Sequence, residues 1–310
     1  MPGRLLYLPK RGGLIGRLNP WIDHRMNLQP LRPPHGRKTT LARLTAGIRD
    51  RLGVAAPERH AVPAGALTIA SYNVHKCVGT DKRFDPERVA EVIAELDADI
   101  LALQEADRRF GRRHGLLDIA AVERRTGLTL LPLSLERGGH GWRGNALLVR
   151  NARALRLRRL ALPGGEPRGA VMADLELPAG RLRVVSAHLG LLRRHRMQQA
   201  EAILAALAEG DDIPTVMLGD LNEWRPGRRS SLRALEAGFS DARPGPATFP
   251  SRRPLLPLDR ILGRPRGLVR GIEPHDSALA RIASDHLPIK ARLDILAVEA
   301  SPAPALAEAA

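Results

Sequence analysis

"LTIASYNVHKCVGTDKRFDPERVAEVIAELDADILALQE", residues Leu67 to Glu105, carries three patterns in succession. Leu67 to Val74 has the composition of a strand. "DPERVAEVIAEL" then offers Asp85 as an amino cap, Pro86 at the first helical position, and Val89, Val92, Ile93 and Leu96 along one apolar stripe. "DILALQE" returns to an apolar run that ends in Gln104 and Glu105. Strand, helix and strand this close together form a crossover unit, so the two strands are predicted to be parallel. Their carboxyl ends, bearing Asn73 and Glu105, then fall on one edge of a sheet.

The rest of the chain repeats these elements without a fixed period. "NALLVR", "VMADLEL", "RLRVVSAHL", "PTVMLGDLN", "LDRIL" and "PIKARLDIL" read as strands, and "RRHRMQQAEAILAALAEG" as a helix. "PAG" at 178–180 predicts a hairpin between two of the strands. Hairpins mixed with crossovers point to an α+β domain with mixed sheets. Three segments are expected: a basic arm at 1–60, a compact domain at 61–297, and a disordered tail at 298–310 that ends in "SPAPALAEAA". Within the arm, Leu41, Leu44, Ile48 and Leu52 predict a short amphipathic helix, packed on the domain edge or lying on a membrane surface or partner.

The chain has 49 Lys and Arg against 33 Asp and Glu, a net charge of +16 that favours anionic partners. Residues 1–60 contribute 12 basic and 3 acidic residues, so more than half of the surplus lies away from the motifs. Only 5 of the 49 basic residues are Lys, a bias that also fits genomic base composition. One cysteine, Cys77, excludes an internal disulfide and suits a reducing compartment. No segment has the roughly 20 apolar residues of a membrane span, and Pro, Arg and Gly interrupt the amino terminus too early for a secretory core. A cytoplasmic monomer is expected.

Several apolar runs end in groups that a core would not tolerate unpaired: Asn73 and His75, Glu105, His188, and Asp220 with Asn222. "SDH", Ser284 to His286, precedes another strand. Each has a plain reading alone. Asn73 or Asp220 suits a turn, Glu105 a loop cap, and His188 a satisfied core histidine. Gathered at one edge, their oxygen-rich set suits a hard cation, Mg²⁺ or Mn²⁺, with zinc less favoured. Asp259, flanked by Leu258, Ile261 and Leu262, predicts a buried carboxylate in need of a partner, and His286 is the candidate. Cys77 lies two residues after His75, but nothing nearby orders a Cys–His pair for nucleophilic chemistry.

"SYNVHK", "LALQEA", "GNALLV", "SAHLGL" followed by Arg193, Arg196 and Gln199, "LGDLNE", "LDRIL" and "SDHLPI" resemble, in order, the motifs of the endonuclease/exonuclease/phosphatase superfamily. These are metal-dependent phosphoesterases that include DNase I, AP endonucleases and neutral sphingomyelinases. The likeness runs from about Leu67 to Leu293. It implies a DNase I-like fold, a four-layer α/β/β/α sandwich of two mixed sheets flanked by helices, with the site at the sheets' shared edge. It also implies Glu105, Asn73 and Asp285 as metal ligands for Mg²⁺, with Mn²⁺ as the second choice. Asp220 resembles the group that activates water and Asn222 one that holds a phosphate oxygen. His286, paired with Asp259, and His188 resemble the histidines that contact phosphate. Asn145, Arg193 and Trp224 fall at substrate-contact positions.

The chain departs from the AP endonucleases, which carry a Tyr-containing motif where "SAHLGL" stands, so AP-site repair is not expected. It lacks the leader and disulfides of secreted nucleases and is similar to small bacterial members of unassigned substrate. The expected function is a metal-dependent phosphodiesterase, endonuclease-like, acting on DNA or other nucleic acid. A phospholipid or sphingomyelinase-like phosphodiesterase or phosphatase is the alternative, and a non-catalytic phosphate-binding module the second. Aromatic content of 3% leaves few stacking platforms. Trp142 and Trp224 can stack a base or pack in the core. Arg193, Arg194, Arg196 and "RPGRRS" can hold phosphates or form a solvated face.

Overall fold

The strands Leu67–Asn73 (β1) and Ile100–Gln104 (β2) run parallel, with Asn73 opposite Gln104. The computed structural model describes residues 47, 48, 51, 66–109, 111–239 and 245–296. Between the two strands, the Asp85 side chain accepts the Arg88 N–H at 3.0 Å and caps the helix Pro86–Leu96 (α1). Val89, Val92, Ile93 and Leu96 are buried on the outer face of the sheet, beside Tyr72, Leu101 and Leu103. The helix ends at Asp97 in a left-handed conformation, φ 43°.

Four further strands complete this sheet: Thr129–Leu130 (β3), Ala146–Val149 (β4), Val269–Pro274 (β10) and Ile289–Leu293 (β11), in the order β10-β11-β1-β2-β4-β3. The second sheet holds Arg153–Ala161 (β5), Gly169–Leu177 (β6), Gly180–His188 (β7), Thr215–Asp220 (β8) and Asp259–Arg264 (β9) in chain order. β6 and β7 form the expected hairpin, antiparallel through Leu177 opposite Gly180. β7 and β8 are parallel, joined by the helix Arg193–Ala208 (α3).

Period-two alternation sorts each strand into two faces. Ile69, Ile100 and Ala102 from one sheet meet Val171, Val184, Val216, Leu218 and Ile261 from the other in a shared core. The opposite faces are covered by helices: α1 and Ile119–Thr126 (α2) on the first sheet, α3 and Arg233–Gly238 (α4) on the second. The fold is therefore a helix, sheet, sheet, helix sandwich with both sheets mixed. Each fully buried Val, Leu or Ile contributes about 1.5–3 kcal/mol relative to exposure, so this layering is the main source of stability.

By contact the chain divides into units at 1–41 and 42–310, and every described residue belongs to the second. The expected basic arm lies outside the described residues except for Gly47, Ile48 and Arg51, which are helical and exposed; the tail at 298–310 lies outside them entirely. No helix among the described residues is long and apolar enough to cross a membrane.

Candidate active site

At one edge of the sandwich the inward alternation turns polar. Val184, Ser186 and His188 follow one another on β7, Val216, Leu218 and Asp220 on β8, and Asp259 precedes Ile261 on β9. Register places His188 opposite Asp220 and Asp220 opposite Asp259, a row of three across adjacent strands. From the facing sheet, Asn73 continues the inward series of Ile69 and Ser71, and its amide donates to Asp220 Oδ2 at 2.9 Å. Thus the same periodicity that builds the apolar core delivers its last members to a common site.

Gly219 makes this row possible. Its φ is +144°, and a Cβ there would lie 1.9 Å from the Ala187 carbonyl oxygen. The glycine is needed for the approach of β8 to β7, which sets Asp220 beside His188. Asn222, two residues on, has φ +53°; its N–H donates to Asp220 Oδ1 at 3.0 Å and its side-chain amide to the Leu189 carbonyl at 2.9 Å.

His286 comes from the loop before β11. Its Nδ1 is 2.8 Å from Asp259 Oδ2, and its Nε2 is 3.7 Å from Asp220 Oδ2. Thr248 donates its hydroxyl to the same Asp259 oxygen at 2.5 Å. His188 Nε2 lies 3.3 Å from Asp220 Oδ2. Asp220 and Asp259 are 2% and 0% exposed, so two carboxylates are held together away from water.

These surroundings split the titrations. Burial raises the Asp220 carboxyl to about 6, with Asp259 adding to the shift while His286, the Asn73 amide and the Asn222 N–H oppose it. Burial alone would lower His286, but Asp259 and Asp220 outweigh it and push the imidazole up to about 10. At neutral pH it is an imidazolium. His188 is driven the other way, well below its usual range, by burial and then by the cations Arg168 and His286. Arg168 Nη1 lies 2.7 Å from His188 Nε2, a contact that a neutral ring tolerates and a charged one would not. One edge therefore holds a charged and a neutral histidine on either side of a carboxylate.

Glu105 follows directly on β2 with φ +55° and ion-pairs with Lys76 of the 75–77 turn. That turn is tied to Asn73, whose Oδ1 accepts the His75 N–H at 3.0 Å. Asp285 Oδ1 is 3.6 Å from His75 Nδ1 and has no hydrogen-bond partner among the described residues, although buried. Glu105, Asn73 and Asp285 thus gather about one turn with an unsatisfied buried carboxylate oxygen, a donor set that fits a hard divalent cation. The donor atoms of Asp220, Asp259 and His286 also lie within 4.8 Å of one another. There the imidazolium of His286 offsets one of the two carboxylate charges.

The remaining sequence candidates have the following surroundings. Arg193 is exposed at the first residue of α3. Arg196 is not available to phosphate: it is buried and donates to Ser231 at 2.8 Å, to the Leu191 carbonyl at 2.6 Å and to Glu223 at 3.2 Å. Asn145 is fully buried and donates to the Gly169 carbonyl at 3.0 Å, fixing the turn before β4 to β6. Trp224 is half-buried under the Arg225 guanidinium, 4.6 Å from the ring. Cys77 is buried, which pushes its thiol up to about 12 and leaves it unreactive.

A cationic cleft beside this edge was not legible in the sequence. About 410 Å³ of space opens against Glu105 and His188, walled by Lys76, Arg109, Arg113, Arg143 and Arg168. Lys76 stood in a quoted motif. The arginines carried no contrast in a chain so rich in them.

A model of the endonuclease/exonuclease/phosphatase family matches residues 70–286, and the chain belongs to that family. Solved structures confirm the architecture. The Bacteroides thetaiotaomicron mannosyl-6-phosphatase is 16% identical, with 74% of this chain and 99% of that chain covered at TM-score 0.56. The human Nocturnin catalytic domain with bound sulfate is 21% identical, with 77% and 95% covered at TM-score 0.54. D. rerio TDP2 complexed with a single-strand DNA product is 16% identical, with 74% and 99% covered at TM-score 0.53. No curated protein matches the chain in sequence. The family's members are phosphoester hydrolases that typically use divalent metals, which agrees with the acidic and imidazole donors assembled here.

Proposed function

We propose that the chain is a metal-dependent phosphodiesterase that cleaves a phosphoester by in-line attack of water, with nucleic acid as substrate. The observation that carries this reading is the split pair of titrations at one edge: a carboxylate poised near neutrality beside an imidazolium, next to a cationic cleft. Asp220, ionised at neutral pH and held by Asn73 and the Asn222 N–H, orients the water and takes its proton. His286 donates its Nε2 proton and its charge toward a phosphate oxygen, while Asp259 and Thr248 fix the ring through Nδ1. His188, neutral, offers a second ring contact to phosphate, with Asn222 beside it. Glu105, Asn73 and Asp285 would hold Mg²⁺ or Mn²⁺, which supplies neutralisation of charge on the phosphate.

The TDP2 neighbour, complexed with a DNA product, supports a nucleic-acid substrate for this fold. A phospholipid diester is the second reading. It draws on Leu191 and Leu192, 65% and 50% exposed beside Arg193 and Arg194, an apolar and basic tip suited to a lipid interface. The test is hydrolysis of supercoiled plasmid, bis-p-nitrophenyl phosphate and phospholipid vesicles with Mg²⁺, with Mn²⁺ and with EDTA. Metal-dependent nicking that disappears in Glu105→Ala supports the nuclease. Turnover of the lipid alone moves the protein to the second reading, and no turnover of any substrate overturns both.

A further inference from the structure

The cleft beside the edge is built for more than the scissile phosphate. Five cationic side chains wall it, Lys76, Arg109, Arg113, Arg143 and Arg168, with Glu105 and Asp107 as its carboxylates. Glu166, which pairs with Arg168 at 2.8 Å, makes a third, so the cations named here outnumber the carboxylates five to three. The walls are braced. Arg143 donates to the Arg168 carbonyl at 2.7 Å, and Asp107 accepts the His140 N–H at 2.8 Å. Arg109 and Lys76 both act electrostatically on His188, and Arg113 on Asp107, so these charges converge on one volume.

That volume does not coincide with the row of His188, Asp220 and Asp259. Of the site described above, His188, Glu105, Lys76 and Arg168 line it, whereas Asn73, Asp220, Asn222, Asp259, Asp285 and His286 do not. A phosphate seated between His188 and His286 therefore does not fill the volume that these cations wall. A fixed cationic surplus of this kind is suited to a dianion, and arginine forks match phosphate oxygens in pairs.

We propose that the cleft is a subsite for a second phosphate on the substrate, a monoester group on the nucleotide next to the bond being cleaved. This rests on the phosphodiesterase reading and adds its specificity: the protein acts at phosphorylated ends in preference to bare ones. Arg109 and Arg113, on the segment that follows β2, are the specificity-determining residues.

The experiment compares a thymidine dinucleotide that is bare, 5′-phosphorylated or 3′-phosphorylated, with Mg²⁺ present. One phosphorylated form is expected to show kcat/KM about tenfold or more above the bare form, the effect of a few charge-assisted contacts. That ratio collapses toward one in Arg109→Met/Arg113→Met, whose melting temperature is measured alongside to establish folding. Equal kcat/KM for all three dinucleotides in the native protein overturns the subsite while leaving the phosphodiesterase standing. Should no dinucleotide be cleaved, the phosphodiesterase reading fails for this substrate, and calorimetric titration with thymidine 3′,5′-bisphosphate against thymidine, in EDTA, tests the cleft by itself. Saturable binding of the bisphosphate alone, lost in the double variant, supports the subsite. Equal or absent binding of both overturns it.

Discussion

Asp220 and Glu223 stand three residues apart at the end of β8, both buried, and they have opposite surroundings. Glu223 accepts from the Ser231 N–H at 2.8 Å and hydroxyl at 2.5 Å, from the Arg225 N–H at 2.8 Å and from Arg196 at 3.2 Å. Burial alone would raise its carboxyl, but these donors hold it below its usual range. Asp220 has a second carboxylate across the strand, and its donors leave it raised to about 6. A carboxylate with its donors in place is an anchor for the fold. One left short of donors is a group available for chemistry.

The sharpest way to break this comparison is to neutralise Asp220 and to remove the cationic partner of Glu223. Asp220→Asn keeps the shape and removes the proton acceptor, so kcat is expected to fall about 10²- to 10⁴-fold with a melting temperature no lower than the parent's. His286→Ala should fall comparably. Rates on bis-p-nitrophenyl phosphate and a thermal melt check both; an active Asp220→Asn variant would remove Asp220 from the mechanism. At the anchor the signature reverses. Arg196→Met strands Glu223 in the interior and is expected to cost about 3–5 kcal/mol of stability, the range for removing one partner of a buried pair. Its KM should change little. A raised KM without loss of stability, read from denaturant unfolding and kinetics, would return Arg196 to the substrate.

The metal region tests the same distinction from the side of Glu105. Saturating Mg²⁺ at about 100 times its dissociation constant is expected to stabilise the protein by about 2.7 kcal/mol, and Glu105→Gln should reduce that response. Melting in Mg²⁺ and in EDTA reads it without any assay of activity. An unchanged response would place the cation elsewhere, the trio of Asp220, Asp259 and His286 being the next candidate.

What the chain made legible follows from where its signals are local. Asp85 and Pro86 mark the start of α1, and the apolar stripe that follows fixes its buried face. Polar residues at the ends of apolar runs marked the edge, because burial there demands a reason. The pairing of Asp259 with His286 was readable as a buried carboxylate in want of a partner. The role of Arg196 was not: a cation after "HLGLL" looks alike whether it meets solvent or a buried Glu223, and only tertiary packing separates the two. The cleft failed to announce itself for a related reason. Its arginines come from the 105–113 segment, the turn before β4 and the loop before β6, and each alone is ordinary in an arginine-rich chain.

The smallest expected effect lies in the pH dependence of the metal-free protein. A carboxyl raised from 3.8 to about 6 on folding binds more protons in the native state than in the unfolded state between those values. Its contribution to stability is therefore present at low pH and lost as pH rises through that window, the reverse of a salt-bridged carboxylate. His286, raised to about 10, contributes stability that is fully present below 6.5 and is lost only as pH rises toward 10, so it does not mask the window. In EDTA, Asp220→Asn should match the parent near pH 4 and exceed it in melting temperature by pH 7. The corresponding Glu223→Gln variant should show the opposite trend, because the Glu223 carboxyl is lowered and its contribution is lost as pH falls. If the Asp220→Asn difference is flat from pH 4 to 7, the imidazolium of His286 compensates Asp220 fully, and the two carboxylates at the end of β8 differ in position but not in how well the fold satisfies them.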